Sequence, residues 1–270
     1  MLRSLTTTVV ALCLALPALL AAGCAKKPPE PYRPPASVLD LVAQRGELRV
    51  CSTGDYRPFT YLDPATRRWS GIDIDMAGDM ARNLGARLTV VPTSWSNLVG
   101  DLTEGRCDVG MGGISVTLDR ARKAAFSDPY LVDGKAAVTR CTNLARFQTL
   151  DQIDRPGVRV VVNPGGTNAE FDRAHLRRAT VVPWPDNNTI FDQLVANRAD
   201  VMITDASEGR WQAARHRELC VVNPERPLSF GPKAYLLPQG DVAFQEWTNQ
   251  WLRLSLGEGT YQRFARAWTG

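Results

Sequence analysis

Histidine is almost missing from this chain: His175 and His216 are the only two among 270 residues. A zinc site built on imidazoles, or a nucleophile activated by histidine, therefore has little to draw on. The six cysteines show no C-x-x-C spacing, which removes the usual thiolate metal and dithiol motifs. No metal and no cofactor is expected. Charge of one sign is scarce too. Of the formal net charge of +4, Arg3 carries one, and Lys26, Lys27 and Arg33 less Glu30 carry two, which leaves one over everything from Ser37 onward. Such a balance argues against nucleic acid as a partner. A bilayer-spanning run needs roughly 20 apolar residues, and the N-terminal apolar stretch Val9–Leu20 is shorter and broken by Pro17.

What is present begins with an export signal: a positive start at Arg3, the apolar stretch, then small residues Ala21-Ala22-Gly23 before Cys24. Between Ala25 and Ala36, Pro28, Pro29, Pro31, Pro34 and Pro35 favour an extended spacer over packed structure. The expected division is residues 1–23 as signal and 24–36 as tether, followed by a globular part whose 44% apolar content can bury one large or two moderate cores. Once the signal and Cys24 are set aside, Cys51, Cys107, Cys141 and Cys220 remain. Cys141 and Cys220 lie near the two ends of one segment and are expected to form a disulfide. Cys51 and Cys107 sit in apolar strand-like runs and are expected to be buried thiols.

The globular part alternates strands and helices in the manner of parallel sheets. Leu39–Arg45 and Asp73–Leu84 read as helices; Leu48–Ser52, Arg87–Val91 and Val158–Val162 read as strands. After the last of these, Asn163-Pro164-Gly165-Gly166 forces a turn, and Thr167 with Glu170 reads as a capping box opening a helix. Paired glycines before a helix N-terminus suit an anion, although glycine equally serves many ordinary strand–turn–helix units. Two echoes run along the chain: Leu48-Arg49-Val50 with Val158-Arg159-Val160, and Arg106-Cys107-Asp108-Val109 with Arg198-Ala199-Asp200-Val201. They imply two similarly wound lobes, with ligand held outside the carboxyl ends of the strands. The loops there carry Asp55, Tyr56, Gly112, Gly113, Ser115, Thr117, Arg120, Gly166, Thr167, Asn168 and Asp205. Arg120 suits a carboxylate, Asp205 an ammonium, and Tyr56 or Trp95 a flat or apolar body. Taken singly, Arg120 also reads as a solvated charge beside Asp119, Asp205 as a helix cap and Trp95 as core.

Several of these stretches together carry a resemblance. Tyr56-Arg57-Pro58-Phe59, Gly71-Ile72-Asp73-Ile74-Asp75-Met76, Ser115-Val116-Thr117 with Arg120, Phe126-Ser127-Asp128-Pro129-Tyr130 and Thr204-Asp205 resemble the amino-acid-type bacterial solute-binding proteins. The resemblance implies an α/β, periplasmic-binding-protein-like fold of two doubly wound lobes joined by two hinge strands, with residues 37–135 plus 234–270 as lobe 1 and 136–233 as lobe 2. It implies a ligand site of Tyr56, Trp95, Gly113, Ser115, Arg120, Gly166, Thr167, Asn168 and Asp205. In that site Arg120 and Thr167 meet a carboxylate, Ser115 adds a hydrogen bond and Asp205 meets an amine. Leu20-Ala21-Ala22-Gly23-Cys24 resembles a lipobox, which implies lipid on Cys24 as the one contact with membrane, in the cell envelope; a monomer is expected.

Thr53-Gly54-Asp55-Tyr56, Val91-Pro92-Thr93-Ser94-Trp95, Asn163-Pro164-Gly165-Gly166-Thr167-Asn168 and Lys233-Ala234-Tyr235-Leu236-Leu237-Pro238 are similar to one branch, the cyclohexadienyl dehydratases. That branch converts prephenate or arogenate to phenylpyruvate or phenylalanine, and Lys135 and Lys233 are placed at the hinges as further cations. The resemblance implies an acidic residue directly after Gly-Gly-Thr-Asn, where this chain has Ala169, with Glu170 following. Two expectations result. The first is a binding subunit for an ABC importer, closing on an amino acid or related carboxylated ligand. The second is a dehydratase using Glu170 or Asp205.

Overall fold

A computed structural model describes residues 36–269. The export signal, Cys24 and nearly all of the tether lie outside the described residues. The first lobe opens with α1 (Val38–Arg45) and β1 (Glu47–Ser52). A small antiparallel ribbon follows, β2 (Asp55–Tyr56), β3 (Thr60–Leu62) and β4 (Trp69–Ser70), then α2 (Ile72–Asn83), β5 (Arg87–Pro92), α3 (Leu98–Thr103), β6 (Val109–Gly110), α4 (Leu118–Ala121) and β7 (Ala125–Phe126). The chain crosses into β8 (Lys135–Arg140), α5 (Leu150–Ile153), β9 (Arg159–Val162), α6 (Thr167–His175), β10 (Thr180–Pro183), α7 (Ile190–Val195), β11 (Val201–Asp205), α8 (Ala206–Ala213) and β12 (Leu219–Val221). It then returns through β13 (Leu236–Leu237), α9 (Val242–Gly257) and α10 (Thr260–Thr269).

Two five-stranded sheets result, ordered β5-β1-β6-β13-β7 and β10-β9-β11-β8-β12. In each, three parallel strands are joined by a strand that runs the other way, β13 against β6 and β8 against β11. Successive residues of the central strands face opposite sides, and both sides are covered, so the strands are apolar throughout. Leu48 and Val50 enter a core with Met76, Met80, Phe244 and Trp251, whereas Cys51 packs with Leu98, Leu102 and Ile114 on the other face. In the second sheet Val160, Val201 and Ile203 enter one core, and Val161 and Met202 enter the opposite one.

The two sequence echoes become one structural device used twice. The Arg49 guanidinium donates to Asp108 Oδ1 at 2.8 Å while the Arg49 amide donates to Asp108 Oδ2 at 2.8 Å. Arg159 does the same to Asp200, at 2.9 Å from both guanidinium and amide. Each aspartate ties the turn before β6 or β11 to the neighbouring parallel strand, β1 or β9.

Cys141, just after β8, and Cys220 of β12 form a disulfide. Cys51 and Cys107 are also joined, which corrects the expectation of two free thiols. Their Cα atoms lie 5.6 Å apart because β1 and β6 are neighbours in register Cys51↔Gly110. An apolar run reports burial, but which two strands lie side by side is set by sheet order.

The lobes are connected by two segments running side by side. Lys233 bridges Leu131 and Ser115, the Leu228 amide donates to the Lys135 carbonyl at 2.6 Å, and the Gly231 amide to the Asp133 carbonyl at 2.8 Å. Gly134 sits where these segments are closest: a Cβ there would meet the Ser229 carbonyl oxygen at 1.8 Å, so no larger residue fits.

Asp108→Ala strips a nearly inaccessible site of the acceptor for Arg49, the Arg49 amide and Arg45, and it is expected to cost about 2–4 kcal/mol. Asp200→Ala, at the more accessible copy, should cost less. Thermal unfolding of both variants checks the order, and equal small losses would contradict it.

Candidate functional site

The carboxyl ends of β1, β6, β9 and β11 point at one narrow cavity between the lobes. Tyr56, Trp95, Gly113 and Ser115 line it from the first lobe, and Asn163, Gly166, Thr167, Asn168, Asn187 and Asp205 from the second. Its volume is about 20 Å³, room for little more than one water. The lobes therefore stand closed on each other, and the contacts between them are specific. Tyr56 OH donates to Asp205 Oδ2, Asn187 Nδ2 to the Asp55 carbonyl at 2.8 Å, and Arg57 to Asn188 Oδ1 at 3.1 Å.

The centre of the site is Asp205, which is 3% exposed. Its Oδ1 pairs with Lys135 Nζ at 2.8 Å, and its Oδ2 takes Lys233 Nζ together with the Tyr56 hydroxyl. Burial alone would raise its pKa, but the two ammonium groups outweigh that and hold it well below the carboxylate range. Both oxygens are thus engaged by the protein's own cations. Lys135 also donates to Thr167 Oγ1 at 3.0 Å and to Asn168 Oδ1, and Lys233 donates to Ser115 Oγ at 2.8 Å. Burial pulls the Lys135 pKa down while Asp205 pushes it back up.

This arrangement differs from the sequence expectation in four respects. Asp205 does not cap α8 through its side chain, nor is it free to take an amine. Thr167 is the first residue of α6, not its cap; Gly166 occupies that position with no side-chain cap hydrogen bond, so the capping box is not formed. The hydroxyl of Thr167 is used by Lys135 instead. Arg120 does not line the inner cavity but donates to the Ser115 carbonyl at 2.9 Å. Burial lowers its pKa, while Glu170 and Asp205 act to raise it.

The fourth concerns Ala169. On α6 a step of one residue turns a side chain by about 100°. Ala169 faces a groove outside the cavity, shared with Pro164, Asp172 and Val181. Glu170, one turn on from Thr167, instead lines a cleft of about 300 Å³ that adjoins the inner cavity, shares Ser115, Thr167 and Asp205 with it and adds Lys135. In this closed form an acid at 169 would face away from the cleft, and the acid at 170 faces it.

Trp95 stands edge-on to Tyr56, with ring centroids 5.3 Å apart, and its Nε1 donates to Asp55 Oδ1 at 3.1 Å. A Cβ on Gly166 would come within 3.4 Å of the Trp95 ring, so the paired glycines let an aromatic of one lobe lie on the backbone of the other. Gly113 has φ 69°, and a Cβ there would meet the Phe59 ring at 2.5 Å. Its amide donates to Asp73 Oδ2 at 2.7 Å, an acceptor shared with the Tyr130 hydroxyl. The sequence expectation of the site does not include Asn163, Asn187 or Glu208. Glu208 is wholly buried behind Asp205, where burial raises its pKa to about 8 and the Thr204 hydroxyl donates to it. No signal in the sequence distinguishes it from a surface helix charge. Among the described residues no group of His, Cys, Asp or Glu could hold a metal ion.

The family model for bacterial extracellular solute-binding proteins, family 3, matches residues 48–270. The chain belongs to this family. Within it, cyclohexadienyl dehydratase of Pseudomonas aeruginosa is 50% identical over 232 residues, 86% of each chain. The L-cystine-binding protein TcyJ of Escherichia coli is 25% identical over 86% of each. Among solved structures, an ancestral amino acid-binding protein described as a precursor of cyclohexadienyl dehydratase superposes with a TM-score of 0.79 at 30% identity, covering 87% of this chain and 100% of that one. An ancestral cyclohexadienyl dehydratase superposes with a TM-score of 0.55 at 43% identity, covering 88% and 98%. The two-lobed, periplasmic-binding-protein-like fold and the binding of a small solute are family properties, as is an extracellular setting. No helix among the described residues is long and apolar enough to cross a membrane.

Asp172, on the groove side of α6, is 1% exposed, and neither carboxylate oxygen has a hydrogen-bond partner among the described residues. Burial raises its pKa to about 7, from 3.8. Between those values the unfolded chain has released the proton and the folded chain retains it, so stability falls as pH rises through the window. Asn carries no such penalty. The advantage of Asp172→Asn over wild type should widen by about 2–3 kcal/mol from pH 5 to pH 8. Parallel stability curves for the two proteins would contradict this.

Proposed function

We propose that this protein is an exported cyclohexadienyl dehydratase, held at the cell envelope through lipid on Cys24, acting on prephenate or arogenate. The observation that carries the reading is the clamp of Asp205 between Lys135 and Lys233. An amino acid receptor needs a free carboxylate for the ligand ammonium, and here that carboxylate is spent on two lysines. Lys135 lines the cleft and Lys233 is buried beside it, two cations to the one carboxylate they clamp. Such a balance suits a ligand that brings carboxylates. The identity of 50% to a dehydratase over most of both chains supports the same reading.

The chemistry assigns each group a task. The bond from the ring to its carboxylate breaks, its electron pair enters the ring and the ring hydroxyl departs. Carbon dioxide leaves, and the hydroxyl leaves as water with a proton supplied by an acid. Lys135 and Lys233 hold the carboxylates, while Tyr56 and Trp95 flank the ring that becomes aromatic. Glu170, on the cleft side of α6, is the acid and is reprotonated from solvent. Because the closed cavity has so little free volume, the substrate enters with the lobes apart and the lobes close over it.

A second reading, a binding subunit for an ABC importer, is favoured by one observation: the position where the branch carries its acid is Ala169, and Glu170 is exposed. Incubation with prephenate and with arogenate, following phenylpyruvate and phenylalanine, separates the two. Turnover is expected in the wild type, with a loss of about 10²–10⁴-fold in kcat for Glu170→Gln. An inert wild type that becomes active as Ala169→Glu would overturn the enzyme reading in favour of the receptor.

A further inference from the structure

Glu208 takes no part in the proposed chemistry, yet two amides of the second-lobe cavity wall are anchored on it. It sits in the first turn of α8, fully buried, and its carboxyl forms no ion pair among the described residues. One oxygen accepts from the Thr204 hydroxyl and the other from Asn187 Nδ2 at 3.4 Å. These two contacts lead into the inner cavity by different routes. Thr204 Oγ1 accepts from Asn168 Nδ2 at 3.0 Å, and Asn168 Oδ1 accepts from Lys135, so the donors run in one direction from Lys135 through Asn168 and Thr204 to Glu208. Asn187 Nδ2 also donates to the Asp55 carbonyl of the other lobe. Asn168 and Asn187 both line the cavity. Glu208 is thus the last acceptor of a chain that fixes which end of the Asn168 amide faces Lys135.

A carboxyl buried among neutral partners, next to the ionised Asp205, keeps its proton. Burial, with Asp205 and Asp55 beside it, raises the Glu208 pKa to about 8, against the pull of the Thr204 hydroxyl and Lys135. The other charged and titratable groups on this side are already committed: Lys233 and the Tyr56 hydroxyl to Asp205, and Asp133 to Ser207 at the start of α8. We propose that Glu208 is a positioning residue for the cleft, which in its un-ionised form orients Asn168 and Asn187 and leaves Lys135 and Lys233 in excess over Asp205. Once it ionises, two carboxylates stand against two lysines, and the excess that suits a ligand carboxylate is gone. The ligand it serves rests on the dehydratase reading; the positioning of the two amides does not.

NMR of the full-length protein, labelled at glutamate side-chain carboxyls and asparagine side-chain amides, tests this without reliance on turnover. Glutamate labelling leaves out Asp55, Asp73 and Asp172, whose pKa values burial also raises. The expected result is one glutamate resonance that titrates near pH 8 and is missing in Glu208→Gln, the permanent analogue of the un-ionised acid. Along with it the Asn168 and Asn187 amide signals, assigned from Asn168→Ser and Asn187→Ser, should move in the wild type and stay in place in Glu208→Gln. Thr204→Val, which cuts the chain but keeps the acid, should silence the Asn168 response alone. In turnover of prephenate, kcat/KM of the wild type should fall about tenfold per pH unit once Glu208 ionises, and that of Glu208→Gln should not. A Glu208 that titrates in the ordinary glutamate range overturns the proposal, as do amide shifts that persist in Glu208→Gln, which then belong to Lys135, or a pH profile unchanged by that substitution. An inert protein in which carboxyl and amides titrate together overturns the dehydratase reading and supports the positioning role.

Discussion

Asp205 ends a fully buried strand at the boundary of two lobes, where an isolated carboxylate would cost several kcal/mol. Lys135 and Lys233 make that position tenable, and each comes from one of the two segments that connect the lobes. The clamp therefore joins a hinge on either side to the floor of the ligand site. The remaining site geometry follows from it. Thr167 and Asn168 of α6 are drawn to Lys135, Ser115 to Lys233, and Tyr56 reaches across from the first lobe to the same carboxylate. In the opposite sense, opening the lobes separates Tyr56 from Asp205, so occupancy of the cleft and the arrangement of the hinge charges are linked.

Beneath that site the two lobes are supported in the same way. Arg49 with Asp108, and Arg159 with Asp200, fix the strand that leads into Gly113 and Ser115 in one lobe and the strand that carries Asp205 in the other. Asp73 adds a second fastening in the first lobe by accepting from the Gly113 amide and the Tyr130 hydroxyl. Burial pushes Asp73 up to about 6, and these donors act against that rise. Backbone around the cavity is thus held by buried carboxylates that never touch the ligand, and the loops above them remain short. Such support keeps a polar site in register when the lobes move, because each half moves as a packed unit.

The order of elements was legible because buried parallel strands are apolar on both faces and their helices repeat near 3.6 residues. Leu48–Ser52 and Val158–Val162 follow from that, and the paired Arg-x-Asp echoes mark the repeat in the sequence alone. Other features were not legible, and for identifiable reasons. Cys51 and Cys107 looked like buried thiols because periodicity does not say which strands are neighbours. Thr167 and Glu170 had capping-box spacing, but a lysine 32 residues away competes for the hydroxyl and wins it. Lys135 and Lys233 could be named by position only, since the pairing that gives them meaning joins the two hinge segments to the end of β11.

By itself, the sequence determined that two α/β lobes would place Tyr56, Gly113, Ser115, Gly166, Thr167, Asn168 and Asp205 on equivalent loops. That follows from local periodicity and from the rule that such loops share an edge. Tertiary structure alone decided how their charges are matched. It turned Asp205 from an amine acceptor into the anchor of two lysines, and it set Glu170 toward the cleft with Ala169 behind. The reason is physical: charge pairing depends on distances across the hinge, and helix facing depends on how α6 is rotated against its sheet. Neither quantity is written in the spacing of residues along the chain.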